Sequence, residues 1–307
     1  MKNLKYIFAA AAIAAAAAGC SKENAVQTGN FPSDGVVRIR PTVTQTVTKA
    51  GSQEYEGTLG LFIDYGTNDK YTMSNVRWSS DANGVWTPDV TMLWKDVTSP
   101  ASVYAYAPYS VSALYSSQVP FSITPDQSEG IGEADLLYFS QESFCPYSDL
   151  DWANAVSIKF KHALVKIELS ITYGNQFGDN TPTIKKVVLK KSAGDVICDL
   201  DDGEVTAMGT TTDVIMHKYS ESGYECICYP ADILEAGDDF IVVTADDGTG
   251  EKNFTYRIPD GGFNLIGGRS YHMNLRVGKN KLVPASVVTV NDWNATEEIE
   301  GGEAESL

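Results

Sequence analysis

The groups that could do chemistry in this chain are three histidines, five cysteines and forty acidic residues. His162, His217 and His272 are isolated from one another, and no nucleophile or metal-binding motif accompanies them. Two of them, His162 and His272, stand inside strand patterns, which favours structural histidines. Forty carboxylates always offer some pair, and nothing singles out one suited to glycoside hydrolysis. We therefore predict no catalytic residue, no metal and no cofactor, and a protein that is not an enzyme.

Two local clusters look like metal sites but do not have the required spacing. The run Asp-Leu-Asp-Asp-Gly at 199–203 brings its glycine one position too early for a calcium loop, so an acidic hairpin turn is favoured. Cys226 and Cys228 lie two apart and would share one face of a strand. A zinc site would need a second pair nearby, and the sequence has none. Buried free thiols are the favoured interpretation.

A cysteine of a different kind ends the first twenty residues. Lys2 and Lys5 precede an apolar, alanine-rich run at 6–18 that is too short to cross a bilayer as a helix. Small residues then lead to Cys20, as a bacterial lipoprotein signal peptidase requires. We predict that residues 1–19 are a lipoprotein signal peptide and that Cys20 becomes a lipid-bearing N-terminus. An ordinary secretion signal with a chance cysteine is the alternative.

The charge of the chain argues against a nucleic-acid partner. The formal net charge is −17, and removal of Lys2 and Lys5 with the signal peptide lowers it to about −19. Anionic phosphate would be repelled by such a surface, so high negative charge is better explained as an aid to solubility. About 288 residues remain after processing, which suits two domains.

Nearly every periodic segment has a period of two, which predicts a mainly β protein. In the first such segment, four inward residues alternate with arginine and threonine: Val37, Ile39, Val43 and Val47. Later strands are predicted at 59–65, 103–109, 156–160, 164–173, 184–190, 224–229, 240–245, 253–258, 270–277 and 287–290. The economical architecture is a flexible tether at 20–34 and two tandem β-sandwich domains at 35–150 and 151–307.

An aromatic cluster in the first half could form a surface that stacks on sugars. Its members are Trp78, Trp86, Trp94, Tyr104, Tyr106 and Tyr109. Core packing is the favoured interpretation for most of them, because aromatic side chains bury the largest apolar areas in a small β domain. The stacking surface is the alternative.

Several segments, taken in order, resemble the fimbrillin-like proteins of Bacteroidales over essentially the whole chain. They are Leu61-Phe62-Ile63, Trp78, Trp94, Tyr104-Ala105-Tyr106-Ala107-Pro108-Tyr109, Asp126-Gln127-Ser128, Asp135-Leu136-Leu137-Tyr138, Phe160-Lys161-His162-Ala163-Leu164-Val165-Lys166-Ile167 and Asp292-Trp293. The resemblance implies two transthyretin-like β-sandwiches and a type V pilus subunit. It also implies that an outer-membrane protease removes the lipid and the first strand, and that a strand from the next subunit fills the open groove.

The resemblance assigns roles to particular residues. The removable first strand would present Val37, Ile39, Val43 and Val47 to the groove. The predicted cut is at Lys49-Ala50, the basic–small junction directly after that strand, and a solvated strand end is the alternative for Lys49. The candidate donor strand lies at 284–290. Its inward side chains would be Val288 and Val290, or Val287.

The leading functional hypothesis is therefore a fimbrial subunit on the surface of the outer membrane that serves adhesion or biofilm formation. Its partners would be other pilus subunits, bound head to tail by strand addition, and a host or bacterial surface ligand. The acidic tail beyond Trp293 has no alternation, which favours a tip or accessory subunit. The alternative is a monomeric lipid-anchored surface protein that binds a glycan or a host protein.

Overall fold

The computed structural model describes residues 29–43, 53–177, 181–231, 234–279, 281–286, 288–293 and 302–303. Within these residues the chain forms twenty strands and very little helix, which confirms the prediction of a mainly β protein. The predicted signal peptide and most of the predicted tether lie outside the described residues. The same holds for five of the predicted site residues: Cys20, Val47, Lys49, Ala50 and Val287.

The strands are numbered in chain order. The first ten are β1 Ile39–Val43, β2 Gln53–Glu54, β3 Thr58–Asp64, β4 Met73–Ser80, β5 Trp86–Pro88, β6 Ala101–Ala107, β7 Val119–Ser122, β8 Leu137–Phe144, β9 Val156–His162 and β10 Val165–Tyr173. The other ten are β11 Thr183–Cys198, β12 Val205–Ile215, β13 His217–Lys218, β14 Gly223–Cys228, β15 Asp239–Asp246, β16 Glu251–Arg257, β17 Arg269–Val277, β18 Leu282–Pro284, β19 Thr289–Asp292 and β20 Gly302–Glu303.

Helical structure in the described residues is short. It consists of α1 Pro146–Asp149 and two 3-10 turns, Gly132–Ala134 and Asn175–Phe177. No helix in this part of the chain is both long enough and apolar enough to cross a membrane.

The first sheet curls so that its two ends share one core. Its eight strands follow the order β2-β1-β9-β8-β6-β3-β4-β5. Ile39 of β1 and Trp78 of β4, which stand near opposite ends of this order, belong to the same buried cluster, which we call the first core. The N–H of Val37 also donates to the carbonyl oxygen of Met92 at 3.0 Å. β1 and the residues just before it therefore close the first core.

The second half of the chain forms a β-sandwich. One sheet has the order β13-β14-β10-β17-β19-β20, with β18 also beside β17, and the other has the order β12-β11-β15-β16, with β7 also beside β11. Alternate residues of β10, from Val165 to Ile171, lie in one buried cluster with Ile241 and Val243 of β15. This cluster is the second core, and it lies between the two sheets as sandwich packing requires.

The domain boundary at 150/151 stays a prediction. β9 comes after it in the chain, yet β9 pairs with β1 and β8 of the first sheet. In the other direction, β7 from the first half pairs with β11 of the second half. The chain passes from the first sheet to the sandwich between His162 at the end of β9 and Val165 at the start of β10.

A buried glutamine ties the segment that follows β7 to β14. Gln127 is 1% exposed. Its Nε2 atom donates to the carbonyl oxygens of Ile227 at 2.8 Å and Thr124 at 3.0 Å, and its Oε1 atom accepts the N–H of Ile227 at 2.8 Å. The amide is tolerated in an apolar environment because its donors and its acceptor all have partners.

We expect Gln127→Leu to lower the free energy of unfolding by about 2–5 kcal/mol, because it leaves the buried N–H and carbonyl groups of Ile227 without partners. Urea denaturation followed by circular dichroism measures this loss. Gln118→Leu is the matched control, since Gln118 is exposed and its replacement should change stability by less than about 0.5 kcal/mol. Equal losses for the two variants would show that the Gln127 bonds do not hold the segment after β7 against β14.

Candidate functional site

The candidate site is centred on β1, the described part of the predicted removable strand. β1 lies between β9, with which it pairs in parallel, and β2, with which it pairs antiparallel over two residues. The parallel register places Ile39 beside Val156 and Val43 beside Phe160. β1 is therefore an internal strand of the first sheet, although only two residues of β2 cover its other edge.

The residues just before β1 are bonded to a different segment. The N–H of Trp94 donates to the carbonyl oxygen of Gly35 at 2.9 Å. Further along, the N–H of Val156 donates to the carbonyl oxygen of Arg38 at 2.8 Å. The backbone is thus held from Gly35 to the end of β1.

Side chains of this segment alternate between the first core and solvent. Val37 and Ile39 are 1% and 6% exposed, Val43 is half-buried, and all three pack in or against the first core. Arg38 and Arg40 are exposed. Full burial of a valine or isoleucine contributes about 1.5–3 kcal/mol, so Val37 and Ile39 together contribute about 3–6 kcal/mol to folding. Departure of β1 would leave an apolar groove with an unpaired strand edge.

Each of the two arginines has an aspartate partner. Arg38 and Asp34 form an exposed pair at 2.6 Å, and this hydrogen bond lowers the pKa of Asp34 to about 2. Arg40 Nη1 lies 2.8 Å from Asp151 Oδ2. Asp34 belongs to the same segment as Arg38, whereas Asp151 lies in the turn before β9. Of these two pairs, the Arg40–Asp151 pair therefore ties β1 to the rest of the fold.

The described part of the candidate donor strand lies in the second sheet. β19 pairs antiparallel with β17. Val288 and Val290 are half-buried and pack against the second core. The segment is thus paired within its own chain in this structure.

A ring stack anchors the residue that follows β19. Trp293 is 8% exposed and stacks on His162, with ring centres 3.7 Å apart and an interplanar angle of 6°. His162 Nδ1 lies 2.6 Å from Asp135 Oδ2. The N–H of Trp293 donates to the carbonyl oxygen of Gly268 at 2.8 Å. His162 is therefore a structural residue that holds the end of β19 against β9 of the first sheet.

The remaining side chains that could take part in catalysis or metal binding are dispersed. In the described part of the chain, no three His, Cys, Asp or Glu residues are grouped so that they could hold a metal ion. His217 Nδ1 lies 2.8 Å from the carbonyl oxygen of Ser128, and His272 Nε2 lies 3.3 Å from Ser170 Oγ. Each contact gives one ring nitrogen a polar partner, and of these two histidines it is His272 that contacts a hydroxyl group.

Most of the predicted aromatic cluster contributes to cores. Trp78, Trp94 and Tyr106 are buried, and the other members are half-buried. Trp152 is 80% exposed and was not predicted from the sequence. Trp152 stands in a turn and not in an alternating strand, so periodicity could not identify it. Its neighbour Asp151, the partner of Arg40, was missed for the same reason.

Comparison with known proteins gives one family. The family described as Fimbrillin-like matches residues 38–293 of this chain. No curated protein matches it. The match spans the candidate site from Arg38 in front of β1 to Trp293 after β19.

Solved structures share the fold at low identity. A candidate cell adhesion protein from Bacteroides uniformis is 18% identical with a TM-score of 0.61, and the match covers 85% of this chain and 99% of that one. One from Bacteroides ovatus is 16% identical with the same TM-score and coverage. The tip fimbrial protein Mfa3 from Porphyromonas gingivalis, with a C-terminal truncation, is 11% identical with a TM-score of 0.52, over 83% of this chain and 99% of that one. Identities this low establish a common fold only.

We expect Ile39→Ala to destabilise the protein by about 2–4 kcal/mol, because it removes apolar volume from the first core and leaves a cavity. Chemical denaturation of the purified protein measures the change. Arg38→Ala is the control on the neighbouring residue, and loss of its exposed ion pair should cost less than about 1 kcal/mol. If Ile39→Ala costs no more than the control, β1 does not complete the first core.

Thiol reactivity should separate the cysteines of the described chain into two groups. Burial raises the pKa of Cys198 to about 12 and also raises the pKa values of Cys226 and Cys228, so their reactive thiolates are scarce in the folded protein. Cys145 is a half-buried free thiol. Iodoacetamide at pH 8 should therefore modify Cys145 first, as peptide mapping by mass spectrometry would show. All four should react after denaturation, and early labelling of Cys226 would contradict the burial of β14.

Proposed function

The chain belongs to the Fimbrillin-like family, and on this premise we propose that it is a fimbrial subunit, exported as a lipoprotein and assembled by exchange of its first strand. The placement of β1 supports the exchange. β1 completes the first core, yet residues 44–52 separate it from β2. A cut at Lys49-Ala50 would fall within that stretch and would interrupt none of the other nineteen described strands.

Loss of β1 would leave two defects that another strand could repair. β9 would lose backbone partners at residues 156–160, and the apolar side chains of the first core would be uncovered. An incoming strand with alternating apolar residues supplies both main-chain bonds and side chains. Such a contact joins the groove of one subunit to the donor segment of another, so it is head to tail and builds an open filament.

The proposal also includes a tip or accessory position for this subunit in the filament. Val288 and Val290 of the candidate donor strand pack on their own second core, and Trp293 is stacked on His162. Donation would require these contacts to break. The acidic sequence after Trp293 has no apolar alternation that could replace them. We place the subunit at the outer membrane, held by lipid on Cys20 until processing, in adhesion or biofilm formation and without catalysis.

One observation favours a second function. Trp152 presents an indole that is 80% exposed, a flat apolar surface on which a sugar ring could stack. In that case the chain is a monomeric lipid-anchored protein that binds a glycan or a host protein, and β1 stays in place permanently.

The N-terminus of the protein recovered from the surface of its own host cells decides between these functions. We expect a species that begins at Ala50, because cleavage after Lys49 is what frees β1. Mass spectrometry of the N-terminal peptide identifies it. Lys49→Ala should abolish this species and leave a precursor with lipid on Cys20.

A lipid-modified Cys20 as the only N-terminus of the unmutated chain would contradict strand removal and favour the monomeric surface protein. Cys20→Ala serves as the control for export. It should yield an unlipidated precursor that is absent from the cell surface, and normal surface display of this variant would contradict the lipoprotein assignment.

A further inference from the structure

We infer that the groove left by β1 selects a donor strand with an arginine or lysine between two inward apolar residues, and that this strand comes from a different chain and not from a second copy of this one. A cation site on the rim of the groove carries this inference, which rests on the strand exchange proposed above. The site consists of Asp151 and Trp152, and Arg40 of β1 fills it in this structure.

The carboxylate of Asp151 is held in place by the turn before β9. Its Oδ1 atom accepts the N–H groups of Ala153 at 2.8 Å and Ala155 at 3.0 Å. Its Oδ2 atom faces Arg40 Nη1 at 2.8 Å, and the side chain is only 13% exposed. Because the turn bonds do not involve β1, the carboxylate would keep its position after β1 leaves. A carboxylate held at the rim without its cation attracts a new one, because the opposite charge and the charge-assisted hydrogen bond are both favourable.

Trp152 forms the other wall of the site. The guanidinium carbon of Arg40 lies 5.1 Å from the centre of the indole ring, within the range of cation–π attraction. Trp152 is 80% exposed, so an incoming strand can reach it. A carboxylate and an aromatic face together favour a cation. A neutral residue at this position loses the charge pairing with Asp151, and an acidic residue is repelled by it.

Backbone register determines where the cation must stand in the donor. Arg40 pairs with Ser157 of β9, and its neighbours Ile39 and Pro41 are buried. Side chains alternate along a strand, so a donor that turns its apolar face inward presents the residue between two apolar ones to the rim. The partner therefore carries the pattern apolar–cation–apolar at this point.

The C-terminal segment of this chain does not have that pattern. Its only cation from 281 to 293 is Lys281, which stands between Asn280 and Leu282. Between Val288 and Val290 the residue is Thr289. If a second copy of this chain donated this segment, Asp151 would have no cation beside it. The groove therefore binds a donor that supplies a cation more tightly than it binds a second copy.

Peptide exchange into the full mature chain tests this assignment. A recognition sequence for a site-specific protease replaces residues 46–51, and the folded protein is then cut so that β1 stays bound without a covalent link. Fluorescent peptides compete for the groove, and polarisation gives their affinities. The peptides are residues 35–45 unchanged, the same with Arg40→Gln, the same with Ile39→Asp, and residues 281–293.

We expect the Arg40→Gln peptide to bind about tenfold more weakly than the unchanged peptide, and the 281–293 peptide to be at least as weak. In a protein carrying Asp151→Asn, the amide oxygen can still accept both turn bonds, and the difference between the first two peptides should shrink to about twofold. Trp152→Ala, at an exposed position, should also reduce this difference in affinity. It provides the test if the Asp151→Asn protein does not fold.

Three other results would each overturn a different part of the inference. Equal affinities of the unchanged and Arg40→Gln peptides would overturn the cation site and leave strand exchange intact. A 281–293 peptide that binds as tightly as the unchanged one would make a second copy the donor and overturn the assignment of a different chain. An unchanged peptide that does not exchange, or binds no better than the Ile39→Asp peptide, would overturn strand exchange and the partner with it.

Discussion

The first core of this protein is complete only while the side chains of one short segment fill it. Val37 and Ile39 are buried against residues from near the opposite end of a curled sheet, and β1 also provides the backbone partner of β9. Hydrophobic burial and main-chain pairing therefore come from the same few residues. A strand of this kind cannot leave without replacement, because its loss uncovers apolar surface and unpaired backbone groups together. That coupling supports the proposed exchange of β1 between subunits.

The C-terminal end of the described chain is bound in a comparable way, but to both halves. β19 covers part of the edge of β17, and Trp293 stacks on His162 at the end of β9. The ring stack crosses between the first sheet and the sandwich. Release of the segment would disturb the second core and a contact between the halves. Such a segment is poorly prepared to serve another subunit, which supports the proposed tip or accessory position.

Much of the fold was predictable from period-two alternation, because burial of one face of a strand leaves that pattern. The strands predicted at 156–160 and 164–173 correspond to β9 and β10. β12 was missed, since its threonine-rich sequence lacks alternation. Pairing partners could not be predicted, because alternation shows which face of a strand is buried but not which strand lies beside it. At the site, the inward residues of β1 were predictable, whereas the rim depends on Arg40 and Asp151, which are 111 positions apart.

The rim contact also addresses a weakness of recognition by strand addition. Main-chain bonds are nearly independent of sequence, and a slip by one residue is prevented because it turns the apolar face to solvent. A slip by two residues keeps the apolar face inward, so apolar burial opposes it less than a slip by one residue. It would, however, move the cation about 6–7 Å along the strand, away from Asp151 and Trp152. An exposed ion pair contributes little to affinity, but placed on a fixed turn it distinguishes registers and partners that the apolar groove treats alike.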